Sequence, residues 1–352
     1  MSQGTQLHWQ HAVVTSHRAA ADEIAEIVLA GERPLFTEPG AHIDVRVAPG
    51  RSDSESVRSY SVVEGAPDGS WVKIGVRRSP TSRGGSRFMH ALEPGDSLEV
   101  TSPLQNFPLR VGAPRYVLLA GGVGITAIHS MARVLKRLGA DYQLVFVGRS
   151  RPAMAFLDEL REEHGPRLRP SVDDEGDVLD VHELLDGVDH STEFYMCGPI
   201  RLMDAVRRAW IERGLPLPNL RYETFGNSGW FDPEEFELRI RGSERSTVVS
   251  ADESILEALE RVGVEAMYDC RKGECGLCVV KAEQLHGVID HRDVFFSEAE
   301  KRADTKLCVC VSRVASCAGS AQADGAQAGS SDGEADREGS ASRRPMLTLD
   351  FP

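Results

Sequence analysis

The stretch "DCRKGECGLC", residues 269–278, holds three of the chain's seven cysteines, Cys270, Cys275 and Cys278, with Gly273 and Gly276 between them. The spacing Cys-x4-Cys-x2-Cys, followed at a distance by "KLCVCVSR" at 306–313, is the thiolate pattern of plant-type 2Fe-2S clusters. Glycines between the ligands let a tight loop wrap a cluster with its backbone N–H groups turned toward sulfur. Zinc is the competing use of four thiolates, but it usually takes two close cysteine pairs rather than three together and one remote. The fourth ligand is Cys308 or Cys310. If "KLCVCVSR" is one strand, both thiols point the same way about 6.6 Å apart, so one binds and the other is left as a small buried hydrophobe. Spacing does not choose between them.

Working outward, 352 residues fit two or three domains. Residues 1–110 carry short period-2 runs, "HIDVRV", "RSYSVV", "WVKIGVRR" and "DSLEV", separated by turn clusters such as "APDGS" and "EPGD". That pattern predicts a small antiparallel β-barrel. Residues 111–228 alternate strand and helix: "YVLLA", a helix over 125–138, "YQLVFVG", a helix near 153–163, "EFYMC", a helix over 200–213 and "LRYETF". Alternation of this kind predicts a parallel, doubly wound α/β sheet. After the linker "GNSGWFDPEEF", residues 229–352 form a mixed α+β unit with a helix "SILEALERVG" opened by "ADES". Within it, 315–345 is almost all Ala, Gly, Ser, Asp, Glu, Gln and Arg and reads as a disordered insertion, while "MLTLDF" after it alternates like a final strand.

A net charge of −14 with no basic run argues against a nucleic-acid partner. The N-terminus has no signal-like apolar stretch, and the longest apolar run, "YVLLAGGVGITAI", is broken by glycines, so no membrane role is expected and the reading is cytoplasmic. In that compartment clustered cysteines hold metal or carry redox chemistry.

Four further segments carry chemistry. In "RSYSVV", the Arg58 guanidinium can pair bidentately with a phosphate, and Tyr60 and Ser61 can flank an isoalloxazine ring, with Ser59 between Arg58 and Tyr60 in the same motif. Downstream, Gly84, Gly85 and Ser86 would open a helix whose first N–H groups receive an anion. In "LLAGGVGITAI", Gly121, Gly122 and Gly124 lie between a strand and a helix, where a pyrophosphate sits on backbone amides, with Thr126 just beyond. Arg149, Ser150 and Arg151 follow the next strand, where an adenosine ribose or a 2′-phosphate would lie, or where they would simply be a solvated loop.

Taken together, "RSYSVV", "CRKGECGLC", "DHRD" and "CVSR" resemble the phthalate dioxygenase reductase and vanillate demethylase reductase family, and the resemblance extends over nearly the whole chain. It implies a flavin barrel, an NAD domain and a β-grasp ferredoxin domain. It assigns the fourth ligand to Cys310, directly before "VSR", and demotes Cys308. It adds Arg77 to the flavin site, makes Cys197, Gly198 and Pro199 of "MCGPI" the nicotinamide pocket, and brings Glu223 and Phe225 of "YETFG" close to the flavin. A single-phosphate site suggests FMN rather than FAD, and the resemblance favours NADH over NADPH. The implied activity is electron transfer from NADH through FMN and 2Fe-2S to a terminal oxygenase, Rieske-type or cytochrome P450, from a monomeric reductase. The rival class is a flavin or iron-sulfur redox sensor. The insertion after Val314 departs from the family pattern, and Ala127 replaces its usual proline.

Overall fold

The computed structural model describes residues 8–47, 56–79, 84–225, 229–243, 245–316 and 344–351. Most of the low-complexity insertion expected over 315–345, and the linker residues 226–228, therefore lie outside the described residues. The chain divides into two compact units, Met1–Glu223 and Thr224–Pro352. Barrel and nucleotide segments thus share one unit, and the second begins immediately after the last strand of the first.

The barrel comprises β1 (Trp9–Ala21), β2 (Ile24–Gly31), β3 (Ala41–Val47), β4 (Ser56–Gly65), β5 (Val72–Arg77) and β6 (Ser97–Thr101), with helix α1 (Gly85–His90) before β6 and the short β7 (Leu104–Gln105) after it. The order β4-β5-β2-β1-β6-β3 closes through the β3–β4 pairing, so the six antiparallel strands leave no open edge. Closure requires β1 to bend, and its register shifts at Val14/Ser16 and Ala19/Ala21 let one strand pair β2 along its length and β6 at its start. Alternate residues, among them Ala12, Val14, Ile27, Ile43, Val45 and Val100, fill the interior.

The same unit continues with β8 (Arg115–Gly121), α2 (Ile125–Arg137), β9 (Tyr142–Gly148), α3 (Leu157–His164), β10 (Leu168–Val172), α4 (Val181–Asp186), β11 (Thr192–Cys197), α5 (Ile200–Glu212) and β12 (Leu220–Glu223). All pairings are parallel in the order β10-β9-β8-β11-β12. The strands read as continuous apolar runs because both faces are covered. The order reverses between β8 and β11, the switch point where open α/β sheets bind ligands at strand C-termini. The helix expected from residue 153 starts at Leu157, because a 3-10 turn (Arg151–Ala153) and a positive φ of 63° at Phe156 intervene.

The second unit contains β13 (Phe236–Ile240), β14 (Ser246–Val249), α6 (Ile255–Arg261), β15 (Val279–His286), β16 (Val288–Asp290), α7 (Glu298–Ala303), β17 (Lys306–Cys308), β18 (Arg313–Ala315) and β19 (Met346–Asp350). The main sheet runs β14-β13-β19-β15-β17, so the final strand enters its centre, parallel to β13 and antiparallel to β15. Helix α6 begins with a capping box between Ser254 and Glu257, the device announced by "ADES", and buries Ile255, Leu256 and Leu259 in the unit's core. Among the described residues, no helix is long and apolar enough to cross a membrane.

Candidate redox sites

In β4, alternation places Arg58 and Tyr60 on one face and Ser59 and Ser61 on the other. The Tyr60 ring packs against the barrel core, and burial pushes its hydroxyl pKa up despite the opposing charge of Arg58. A Cβ at Gly85 would stand 3.3 Å from Cγ and Nε of Arg58, so the arginine lies along the first turn of α1. The turn begins at Gly84, whose φ is 101°, and Ser86 Oγ accepts from the Ser79 amide at 3.1 Å. A guanidinium against a helix N-terminus suits a phosphate in charge and in donor type, which is the fit required of a flavin phosphate site. Arg77 ends β5 opposite Ile24 and is exposed.

The two serines of the motif have different surroundings. Ser59 is exposed, and its Oγ donates to Asp44 Oδ1 at 2.5 Å on the barrel surface. Ser61 is buried, and its Oγ donates to Glu223 Oε2 at 3.1 Å. Glu223 ends β12 in register with Cys197 of β11, which in turn pairs with Ala120 of β8. Strand β4 of the barrel therefore meets the C-terminal edge of the parallel sheet at its switch point.

At that edge two motifs lock together. A Cβ on Gly121 would be 2.6 Å from Pro199 Cδ, and one on Gly124 would overlap the carbonyl group of Cys197. Only hydrogen fits at either position, so "GGVG" and "CGP" form one surface in which Gly198 is half-buried and Pro199 exposed. Gly122 has a φ of 53°, and Thr126 Oγ1 donates to the Val123 carbonyl at 2.9 Å, closing the turn. Cys197 itself is buried, 1% exposed, at the strand end. Beyond β9, Arg149 is exposed and its carbonyl accepts from the Asp174 amide at 3.0 Å, while the Ser150 carbonyl accepts from Ala153 at 3.1 Å. Arg151 is held by Glu175 in a bidentate pair at 2.5 and 2.6 Å.

His129, Glu159 and Glu163 also bring potential ligand atoms together. Arg133 already occupies that space, donating to Glu159 at 3.0 Å and Glu163 at 2.7 Å and reaching Glu64 of β4. Burial, aided by the Arg133 charge, lowers the His129 pKa to about 3, so the ring stays neutral. This group braces α2 and α3 against the barrel.

In the second unit, the cysteine loop is shaped by positive φ values of 75° at Gly273 and Gly276. A side chain at Gly276 would strike the Phe295 ring. Amides of Lys272 and Glu274 both donate to Cys270 Sγ at 3.4 Å. The segment "KLCVCVSR" is not one strand: β17 stops at Cys308, where a turn begins with Val311 and Ser312 amides donating to the Cys308 carbonyl. The shared-face argument for the two thiols therefore fails, since Cys310 lies in the turn. Cys310 Sγ is 3.1 Å from Cys278 Sγ. Cys275 is exposed, and Cys278, Cys308 and Cys310 are buried.

Hydrogen bonds from Cys310 and from backbone amides bring the Cys270 thiol down to about 4, and bonds from Cys308 and Cys310 bring Cys278 to about 3. Cys308 and Cys310 are pushed the other way by the same sulfurs. Crowded thiols cannot all ionise without a cation among them, and a thiolate-bound iron cluster supplies that charge, so the donor set fits the group. Around the loop, "DHRD" is buried: Asp290 pairs with Arg292 at 2.6 Å, and Asp293 accepts from the Phe296 amide at 2.9 Å.

Phe225 is half-buried, two residues past β12, in the second unit. Its neighbour Thr224 was not singled out by the sequence, nor was Glu274, yet Thr224 N and Oγ1 lie 2.8 and 2.9 Å from Glu274 Oε1. No sequence signal joins residues 50 positions apart.

The 2Fe-2S iron-sulfur cluster binding domain family matches residues 238–315. The toluene-4-sulfonate monooxygenase system reductase subunit of Comamonas testosteroni is 34% identical over 310 residues, 85% of this chain and 94% of that protein. The solved structure of phthalate dioxygenase reductase, described as transferring electrons from pyridine nucleotides to [2Fe-2S], is 28% identical with a TM-score of 0.67 and covers 97% of this chain and 98% of its own. An intact type IV self-sufficient cytochrome P450 monooxygenase is 33% identical with a TM-score of 0.61 over 97% of this chain, which spans only 41% of that longer protein. With its antiparallel barrel, parallel nucleotide sheet and cluster loop, the chain belongs to the phthalate dioxygenase reductase family of NAD(P)H-dependent flavin and 2Fe-2S oxidoreductases, the reductase components of oxygenase systems.

Proposed function

We propose that the chain uses NADH and FMN and serves a separate Rieske-type oxygenase. The observation that carries the flavin-nicotinamide part is the buried Ser61–Glu223 hydrogen bond at the end of β12, beside Cys197. It draws the flavin strand to the edge where "GGVG" and "CGP" meet. When bound, FMN accepts a hydride and passes electrons on one at a time, and the cluster carries them singly. Arg58 with Gly84, Gly85 and Ser86 would hold the flavin phosphate, and Tyr60, Ser61 and Arg77 would hold the ring. Gly121, Gly122, Gly124 and Thr126 would cradle the pyrophosphate, with Cys197, Gly198 and Pro199 at the nicotinamide. Glu223 positions Ser61. Ser59 contributes backbone only, since its side chain is engaged by Asp44.

Cys270, Cys275, Cys278 and Cys310 would ligate the cluster, and Cys308 would pack beside it. Engagement of Arg151 by Glu175 supports NADH, because that guanidinium is already committed to a carboxylate. Arg149 and Ser150 would then contact the adenosine ribose. A single-phosphate reading of the Arg58 site supports FMN. Nearly full-length similarity to a separate reductase subunit and to phthalate dioxygenase reductase supports an oxygenase in another chain. The self-sufficient monooxygenase supports a second reading, a P450 acceptor.

Flavin released from the purified protein should be FMN by mass, and turnover should favour NADH. Reconstitution with purified Rieske oxygenases and with P450s should give product formation with the former. FAD, NADPH preference, or coupling to P450s alone would overturn the corresponding part.

A further inference from the structure

Thr224 is buried, 3% exposed, and among the described residues its hydrogen bonds run to the cysteine loop. Its amide donates to Glu274 Oε1 at 2.8 Å. Its hydroxyl lies 2.6 Å from the Lys272 carbonyl and 2.9 Å from the same carboxylate oxygen, and shares its single proton between them. Lys272 and Glu274 are also the two residues whose amides donate to Cys270 Sγ, each at 3.4 Å, on either side of Gly273 with its φ of 75°. Thr224 therefore holds the carbonyl of Lys272 and the side chain of Glu274, the two residues whose amides point at one sulfur.

We infer that Thr224 is a positioning residue for the cluster loop and that, together with Glu274, it sets the reduction potential of the cluster. This rests on the ligand set proposed above. Hydrogen bonds to cluster sulfurs and the net charge nearby are among the levers on an iron-sulfur potential. The two residues pull in opposite directions. N–H groups held on Cys270 Sγ stabilise the extra electron, so loosening them lowers the potential. The Glu274 carboxylate opposes that electron, so neutralising it raises the potential.

The test uses the full-length holoprotein and a dye-equilibrated redox titration followed by electron paramagnetic resonance of the reduced cluster. Thr224→Val should lower the midpoint potential, Thr224→Ser should restore it, and Glu274→Gln, which still accepts from the Thr224 amide, should raise it. Unchanged potentials in Thr224→Val and Glu274→Gln, with iron content equal to wild type, would overturn the inference. If Thr224→Val loses its cluster, Glu274→Gln decides alone: an upward shift supports the pairing and no shift defeats it. A wild-type protein without the cluster signal would instead defeat the ligand assignment.

Discussion

Replacing Ser61 by Ala tests the junction between barrel and nucleotide sheet, and Ser59 in the same tetrapeptide is its internal control. Ser61 and Glu223 are 5% and 2% exposed, and the hydroxyl donates to the carboxylate at 3.1 Å. A hydrogen bond to a charged group contributes about 1.5–3 kcal/mol. At about 1.4 kcal/mol per decade, loss of this bond shifts the closed junction by roughly ten- to a hundredfold. The Ser59 hydroxyl bonds Asp44 on an exposed surface, where a substitution is worth within about 0.5 kcal/mol. Two measurements read the difference: the denaturant midpoint for flavin release, and the stopped-flow rate at which NADH bleaches bound flavin. Ser61→Ala should lower the first and slow the second, with Ser59→Ala close to wild type in both. Equal effects from the two, or none from Ser61→Ala, would refute the claim that this contact aligns the flavin strand with the nicotinamide edge.

Cys310→Ser should abolish the visible iron-sulfur absorption, and Cys308→Ser should keep most of it; the reverse would show that the fourth ligand sits at the end of β17. Glu175→Gln should loosen Arg151 and raise NADPH turnover several-fold relative to NADH, and an unchanged ratio would remove Arg151 from the cofactor question. His291 tests a pH dependence. Burial would lower its pKa, but pairing with Asp293 at 3.4 Å and Asp304 at 3.1 Å raises it above its ordinary value. Stability from these pairs is therefore fully present below about pH 6.5 and is lost as pH rises through the raised value. Melting of the cluster unit should fall between pH 6 and pH 9, each about half a unit or more from that ordinary value, and His291→Gln should flatten the slope; an equally steep variant would assign the dependence elsewhere.

Short-range pattern carried much of this protein. Cysteine spacing identified the cluster loop, strand-helix alternation the parallel sheet, "ADES" the start of α6, and the alternation of "MLTLDF" the last strand. Each depends on neighbours a few residues away, so the chain states it directly. Where a pattern was short or interrupted it gave less: β10 contains Pro170, tolerated because β10 is an edge strand, and α4 is only six residues long.

Tertiary structure alone decided which partner occupies each face. Ser59 and Ser61 are indistinguishable in "RSYS", and only the arrival of Glu223 from 162 residues away buries one of them. Strand β17 ends at Cys308 because a turn carries the chain on to Cys310 beside Cys278, which period-2 reasoning could not foresee. Gly121 and Gly124 of "GGVG" are explained by Cys197, Gly198 and Pro199 packed against them, and Thr224 acquires its role only from Lys272 and Glu274. Periodicity along a chain records that a residue will be covered, whereas the covering group comes from whichever distant segment the strand order brings beside it.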